Sequence, residues 1–120
     1  MAHRGAVEGT VVISEEQTGG KGRLDRSFFS PYAKGIWFSV ILRPDFPPVE
    51  VSKMTLLTAV ALIRVFRAFG LEKCVIKWPN DILVDGKKLV GILTELSATM
   101  EKVNYVVTGM GINTSFTRDE

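Results

Sequence analysis

A chain of 120 residues that is 46% hydrophobic and 23% charged has the length of one domain and a globular composition. That excludes disordered, collagen-like and low-complexity chains. Fifteen Lys and Arg against thirteen Asp and Glu leave a net charge of +2, too weak a field to argue for a nucleic-acid or membrane partner. The lone cysteine, Cys74, excludes an intramolecular disulfide framework and a Cys-rich zinc site. The lone histidine, His3, leaves little for Ser-His-Asp or His-based metal chemistry. No segment reaches the ~20 apolar residues of a membrane span. Residues 1–9 lack the apolar core of a signal peptide, so a cytoplasmic location is expected.

Residues 1–9 carry no hydrophobic period and predict an irregular, frayed start. Thr10–Ser14 is a short β-branched run and predicts a strand buried on both faces. Residues 15–35 predict a long glycine-rich and basic loop, a length that usually signals function. Ile36–Leu42 predicts a second strand, ended by Arg43-Pro44. Residues 53–69 predict the one helix, with Ser52 as N-cap and Gly70 as the stop. Lys53, Arg64 and Arg67 form its only polar stripe, so a sheet and something beside it should cover the rest. Cys74–Trp78 predicts a strand ended by Pro79-Asn80-Asp81. Residues 82–84 and 88–95 predict a hairpin across Asp85-Gly86. Tyr105–Gly109 predicts the last strand, running into Met110-Gly111-Ile112-Asn113. This order implies an α+β fold: one mixed β-sheet with a helix packed on one face.

Four clusters could carry chemistry. Gly19-Gly20-Lys21-Gly22-Arg23, followed by Arg26, could offer backbone N–H groups and fixed cations to a phosphate. It lacks the closing Gly-Lys-Ser/Thr of a Walker loop, and a solvated surface loop would look much the same. Lys77-Trp78-Pro79-Asn80-Asp81 puts two polar side chains at a strand end. Asp81 could orient a cation or accept from a ligand, or the pair could simply cap its own turn. In Lys87–Glu95, alternation places Lys88, Val90, Ile92 and Thr94 on one face. Lys88 then snorkels to solvent or meets an anion, and Gly91 permits close approach of a ligand or backbone. Gly109-Met110-Gly111-Ile112-Asn113 would let a flat ring lie on the chain, or would merely turn it. Together the clusters favour a small, partly apolar anion over a structural role.

The residues that surround these clusters resemble the biotin protein ligase family over nearly the whole chain. Glu16–Pro31 is similar to that family's G-R-G-R-x-x-R-x-W-x-S-P loop, and Gly35–Pro44 continues it in register. Lys77–Asp81 resembles its K-W-P-N-D block, Lys88–Glu95 its K-x-x-G-I-L-x-E block, and Gly109–Asn113 its G-x-G-I-N block. The resemblance implies a mixed-sheet catalytic domain related to class II aminoacyl-tRNA synthetases. It implies that biotin and MgATP give biotinyl-5′-AMP, and that a lysine of a carboxyl-carrier protein then takes the biotinyl group. Positioning and charge would dominate such a reaction, which suits a site without His or Cys.

Carried over by position, Gln17, Gly20 and Lys21 would face biotin, beside Gly91. Arg23 would hold the adenylate, and Arg26 would order the loop or meet phosphates. Lys88 would contact the biotin carboxylate or the α-phosphate. Asp81 would assist the incoming lysine or a metal. Asn80, Gly109 and Asn113 would line the nucleotide end, and Trp37 and Trp78 would form pocket or core walls. No protein-held metal is expected, and a homodimer is. Two positions depart from the family pattern: Lys21 stands for the usual Arg, and Phe28 for the usual Trp. The family's Ser-Thr-Asn segment, its C-terminal β-barrel and its DNA-binding domain find no match. Residues 1–120 are therefore expected to be the central part of the catalytic domain. The competing expectations are a biotin- or nucleotide-binding module without turnover, and a lipoate ligase relative.

Overall fold

The structure is a computed structural model, and it describes residues 1–20 and 34–114. Six strands and one long helix follow in order: β1 Val11–Ser14, β2 Gly35–Leu42, α1 Ser52–Ala68, β3 Cys74–Lys77, β4 Asp81–Val84, β5 Lys87–Ala98 and β6 Val103–Asn113. The strands form one sheet in the order β1-β2-β6-β5-β4-β3. The α+β class and the helix on one face match the expectation. Every described pairing is antiparallel, where a mixed sheet was expected. The alternation leaves β2 and β3 running the same way, as a strand–helix–strand crossover requires. But β6, β5 and β4 lie between them, so the two never form a parallel ladder.

The hairpin β4–β5 turns through Asp85 and Gly86, both at positive φ (51° and 76°). That is the two-residue turn whose twist matches flanking strands. Helix α1 ends as expected. Gly70 lies at φ 93°, its N–H donates to the Arg67 carbonyl, and the Leu71 N–H donates to the Phe66 carbonyl. These two bonds are the Schellman pair that satisfies terminal carbonyls. The start differs. Val51, not Ser52, occupies the N-cap, without a side-chain cap. A 3₁₀ turn over Pro48–Glu50 feeds directly into α1, so the cap position falls one residue earlier.

The core lies between α1 and the sheet. Ala59 and Ile63 of α1 pack with Cys74, Ile82, Val90, Ile92, Met110 and Ile112. Thr55 Oγ1 and Thr94 Oγ1 add a hydrogen bond of 2.8 Å across that layer. Burying such side chains stabilises by roughly 1.5–3 kcal/mol each. The helix contacts β3 to β6, so among the described residues the β1 end of this face is left uncovered. Strand β1 is therefore an exposed sheet edge, with Val11 56% and Ile13 69% exposed, and not the doubly buried strand expected. The outer side of α1 is also uncovered: Leu57 and Val65 are exposed beside the basic stripe. Among the described residues nothing supplies the second cover that the thin polar stripe predicted.

The frayed start is corrected too. Ala2–Arg4 forms a 3₁₀ turn with Ala2 buried, held by Arg43. Its guanidinium donates to the carbonyls of Ala2 (2.8 Å), Ala6 (2.6 and 3.1 Å) and Asn104 (3.2 Å). The Arg43 N–H donates to Glu8 Oε2 at 2.7 Å. The residue that ends β2 thus pins the N-terminal segment to one end of the sheet.

Candidate active site

The site lies on the sheet face opposite α1, and strand register builds it. One row of cross-strand neighbours runs Ser14, Trp37, Gly111, Gly91, Asp81, Lys77. Partners in antiparallel strands point to the same face, so all six share it. Gly111 and Gly91 lie side by side in the middle and leave a floor of bare backbone. Trp37, buried to 1% exposure, stands on one side of that floor and Asp81 on the other. The next row places Ser39 beside Gly109 and Leu93. Gly109 and Gly111 are therefore interior positions of β6, not a turn at its end.

Lys88 reaches this face through an irregularity. The pairs Ile82–Val90 and Leu83–Lys88 skip Leu89, a bulge in β5. One extra residue inverts the alternation beyond it. Lys88 therefore does not share a face with Val90, Ile92 and Thr94, as strict alternation predicted. It projects to the face opposite α1, where Nζ lies 3.6 Å from Asp81 Oδ1. Leu89 instead packs with the helix-side core. Asp81 thus has Lys88 beside it and Lys77 as its cross-strand partner. Among the described residues two lysines flank this carboxylate, an arrangement suited to a carboxylate or phosphate ligand.

Two asparagines complete the frame. The Asn80 Nδ2 donates to the Ile92 carbonyl at 3.2 Å, and the Ile92 N–H donates to the Asn80 carbonyl at 2.9 Å. The Asn113 Nδ2 donates to the Lys88 carbonyl at 3.2 Å. Gln17 and Gly20 follow the Ser14 end of β1, on the Trp37 side of the floor. Lys21, Arg23 and Arg26 lie outside the described residues.

Among the expected site residues, the structure therefore gathers Asp81, Lys88, Gly91, Asn80 and Asn113, with Gly109 one row away. Trp78 is corrected: it follows β3 and is 78% exposed, so it walls neither pocket nor core. Trp37 keeps the role of a wall. Sequence reasoning missed Ser39 and the Leu89 bulge; the adjacent apolar pair Leu89-Val90 was the available signal for the bulge. His3 is exposed in the N-terminal turn. Cys74 is buried on the helix side with its thiol directed to the Leu71 carbonyl. Neither belongs to the site. Among the described residues no group of His, Cys, Asp and Glu could by itself hold a metal ion. No described helix is long and apolar enough to cross a membrane.

Known proteins resemble this chain in sequence and fold. The bifunctional ligase/repressor BirA of Bacillus spizizenii is 46% identical over 120 residues, which is 100% of this chain and 37% of that protein. The biotin–[acetyl-CoA-carboxylase] ligase of Paracoccus denitrificans is 35% identical over 107 residues, covering 85% of this chain and 43% of the relative. A biotin protein ligase from Aquifex aeolicus, solved in complex with biotin and ATP, superposes with a TM-score of 0.76 at 28% identity. It is matched over 95% of this chain and 47% of its own. The chain thus spans less than half the length of these relatives. A model of the biotin/lipoate A/B protein ligase family matches residues 1–113, and the chain belongs to that family.

Proposed function

We propose that this chain carries the biotin-activating centre of a biotin protein ligase. The observation that carries the reading is the Lys88–Asp81 pair at the edge of the Gly91–Gly111 floor. A fixed ammonium beside bare backbone suits a ligand with a flat body and a carboxylate. The Paracoccus relative is a biotin–[acetyl-CoA-carboxylase] ligase, the Bacillus relative is a bifunctional ligase/repressor, and the Aquifex structure holds biotin and ATP.

In this reading biotin lies on the glycine floor, with Gln17, Gly20, Lys21 and Gly91 against it. Lys88 steers the biotin carboxylate toward the α-phosphorus of ATP. The carboxylate oxygen bonds to that phosphorus, and pyrophosphate leaves with the bridging electrons. Lys88 and Arg23 balance the charge that builds on the phosphoryl oxygens, and Arg26 meets the departing phosphates. Asn80, Gly109 and Asn113 border the nucleotide. The ε-amine of a carboxyl-carrier lysine then attacks the biotinyl carbonyl, AMP leaves, and Asp81 accepts the amine proton. Asp81 already faces Lys88, so it could supply one carboxylate oxygen to Mg²⁺, with nucleotide phosphates and water completing the shell. Mg²⁺ bound in that way supplies charge neutralisation to the phosphates. The protein acts in the cytoplasm, as a homodimer, without nucleic acid or membrane.

The test is incubation with biotin, α-labelled MgATP and a carrier domain. Labelled biotinyl-AMP and biotinylated carrier are expected. Binding of biotin and ATP without labelled product would favour a second reading, a binding module without turnover. The uncovered outer face of α1 and the open edge β1 support that alternative.

A further inference from the structure

We propose that β3 is the docking edge for the carrier domain: it takes an extended, acidic segment of the carrier as a further strand and brings the acceptor lysine to Asp81. The inference rests on the biotin-ligase reading for the partner's identity, and names the surface that reading leaves unassigned.

Position singles out β3. The sheet ends at β1 on one side and at β3 on the other. Among the described residues β3 pairs with β4 alone, through Cys74–Val84, Val75–Leu83, Ile76–Ile82 and Lys77–Asp81. Alternate residues of such an edge direct N–H and C=O away from the sheet, ready for another strand. Of these two edges, only β3 adjoins the Lys88–Asp81 pair. Asp81 is the cross-strand partner of Lys77, so a residue docked opposite Lys77 extends the row Gly91, Asp81, Lys77 by one place. Its Cα would lie two strand spacings, about 10 Å, from that of Asp81. A lysine there points to the same face as Asp81, and its long stem and the aspartate side chain span that gap between them.

Side chains along the edge define the partner. Val75 shares the face of Lys77 and is 55% exposed, and Trp78, directly after the strand, is 78% exposed. Neither packs in the core, and both offer apolar cover to a docked chain. Lys73 and Lys77 bracket the strand, both exposed, and they argue against a second copy on this edge. Antiparallel pairing of β3 with itself centred on Val75 would set Lys73 against Lys77 twice. Centred on Ile76, it would bring the two Lys77 side chains diagonally together. Like charges so placed destabilise a pair. A segment with carboxylates opposite Lys73 is attracted instead. The acceptor itself reacts as a neutral amine, and the Lys77 ammonium beside it favours that form.

Two readouts separate the dock from the chemistry. Biotinyl-AMP formed from biotin and α-labelled MgATP, without carrier, tests the functional reading alone. Transfer to the biotin carboxyl-carrier domain of an acetyl-CoA carboxylase tests the edge. The double variant Val75→Glu, Trp78→Ser repels an acidic strand and removes its apolar anchor. We expect its adenylate formation to stay within about twofold of the unaltered chain, and its kcat/KM for the carrier to fall at least about 30-fold, chiefly through KM. Val75→Arg should keep the transfer rate. In ¹⁵N-labelled protein, the carrier domain should slow amide exchange along β3 and leave β1 unchanged. Should the double variant fail to fold, Lys73→Glu is measured the same way, with the same direction expected. Unchanged transfer in a folded variant overturns the proposal. So does protection that falls on β1 or on Glu95–Ala98 of β5 instead of β3. If the unaltered chain makes no adenylate, the functional reading fails, and protection of β3 by the carrier domain still decides the dock.

Discussion

Arg43 offers the clearest test of how the N-terminal segment is held. Its guanidinium reaches three carbonyls, those of Ala2, Ala6 and Asn104, at 2.6 to 3.2 Å, and lies 6.0 Å from the Tyr105 ring centroid. Arg43→Met keeps the apolar stem and removes every donor. A hydrogen bond from a charged group is worth roughly 1.5–3 kcal/mol, but these sit at a part-buried position where water can replace some of them. We therefore expect a net loss of about 2.5 kcal/mol, well below the sum of the separate bonds. With an unfolding entropy of about 2.1 cal/mol/K per residue, that corresponds to a fall in Tm of about 10 °C. Thermal unfolding by circular dichroism measures the shift. Amide hydrogen exchange should show the Gly9 N–H, which donates to the Ile41 carbonyl, losing protection before the central strands. A fall in Tm of less than about 3 °C, with Gly9 still protected, would refute the reasoning.

Thr108 is 2% exposed and its hydroxyl has no hydrogen-bond partner among the described residues. Thr108→Val should therefore raise stability by about 1 kcal/mol in urea unfolding, because an unmet buried polar group is removed at constant shape. At Gly35 an added Cβ would clash with the Ile112 carbonyl oxygen. Gly35→Ala should cost more than about 2 kcal/mol, by forcing apart the β2–β6 pairing that anchors Asn113; equal stability would contradict it. The exposed outer side of α1 should drive self-association. Equilibrium sedimentation should show dimers that weaken in the double variant Leu57→Glu, Val65→Lys, and a strict monomer in the unaltered chain would count against that surface.

Local chemistry made much of the fold legible. Asp85-Gly86 specified its hairpin because few residue pairs tolerate two positive φ values in succession. Gly70 marked the end of α1 for the same reason. What escaped was set by contacts between distant residues. The β-branched run of β1 looks alike in a central and an edge strand, and only its place beyond β2 exposes it. Arg43 looked like a strand terminator because its carbonyl partners come from the first six residues and from β6. The motif blocks named most of the residues that the strand register brings together in the candidate site, yet alternation assigned Lys88 to the wrong face. A bulge depends on partner strands, and the adjacent apolar pair Leu89-Val90 was the one local sign of it.

The central claim is that Lys88, set beside Asp81 over the glycine floor, activates biotin. The most direct measurement compares the unaltered chain with Lys88→Met for biotinyl-AMP formed from biotin and α-labelled MgATP, with unfolding free energies measured in parallel. The Lys88–Asp81 contact is 3.6 Å long and the lysine side chain is 44% exposed, so its loss should change stability by no more than about 1 kcal/mol. Adenylate formation, in contrast, should fall by at least about 100-fold. Equal rates of adenylate formation by the two folded proteins would contradict the account.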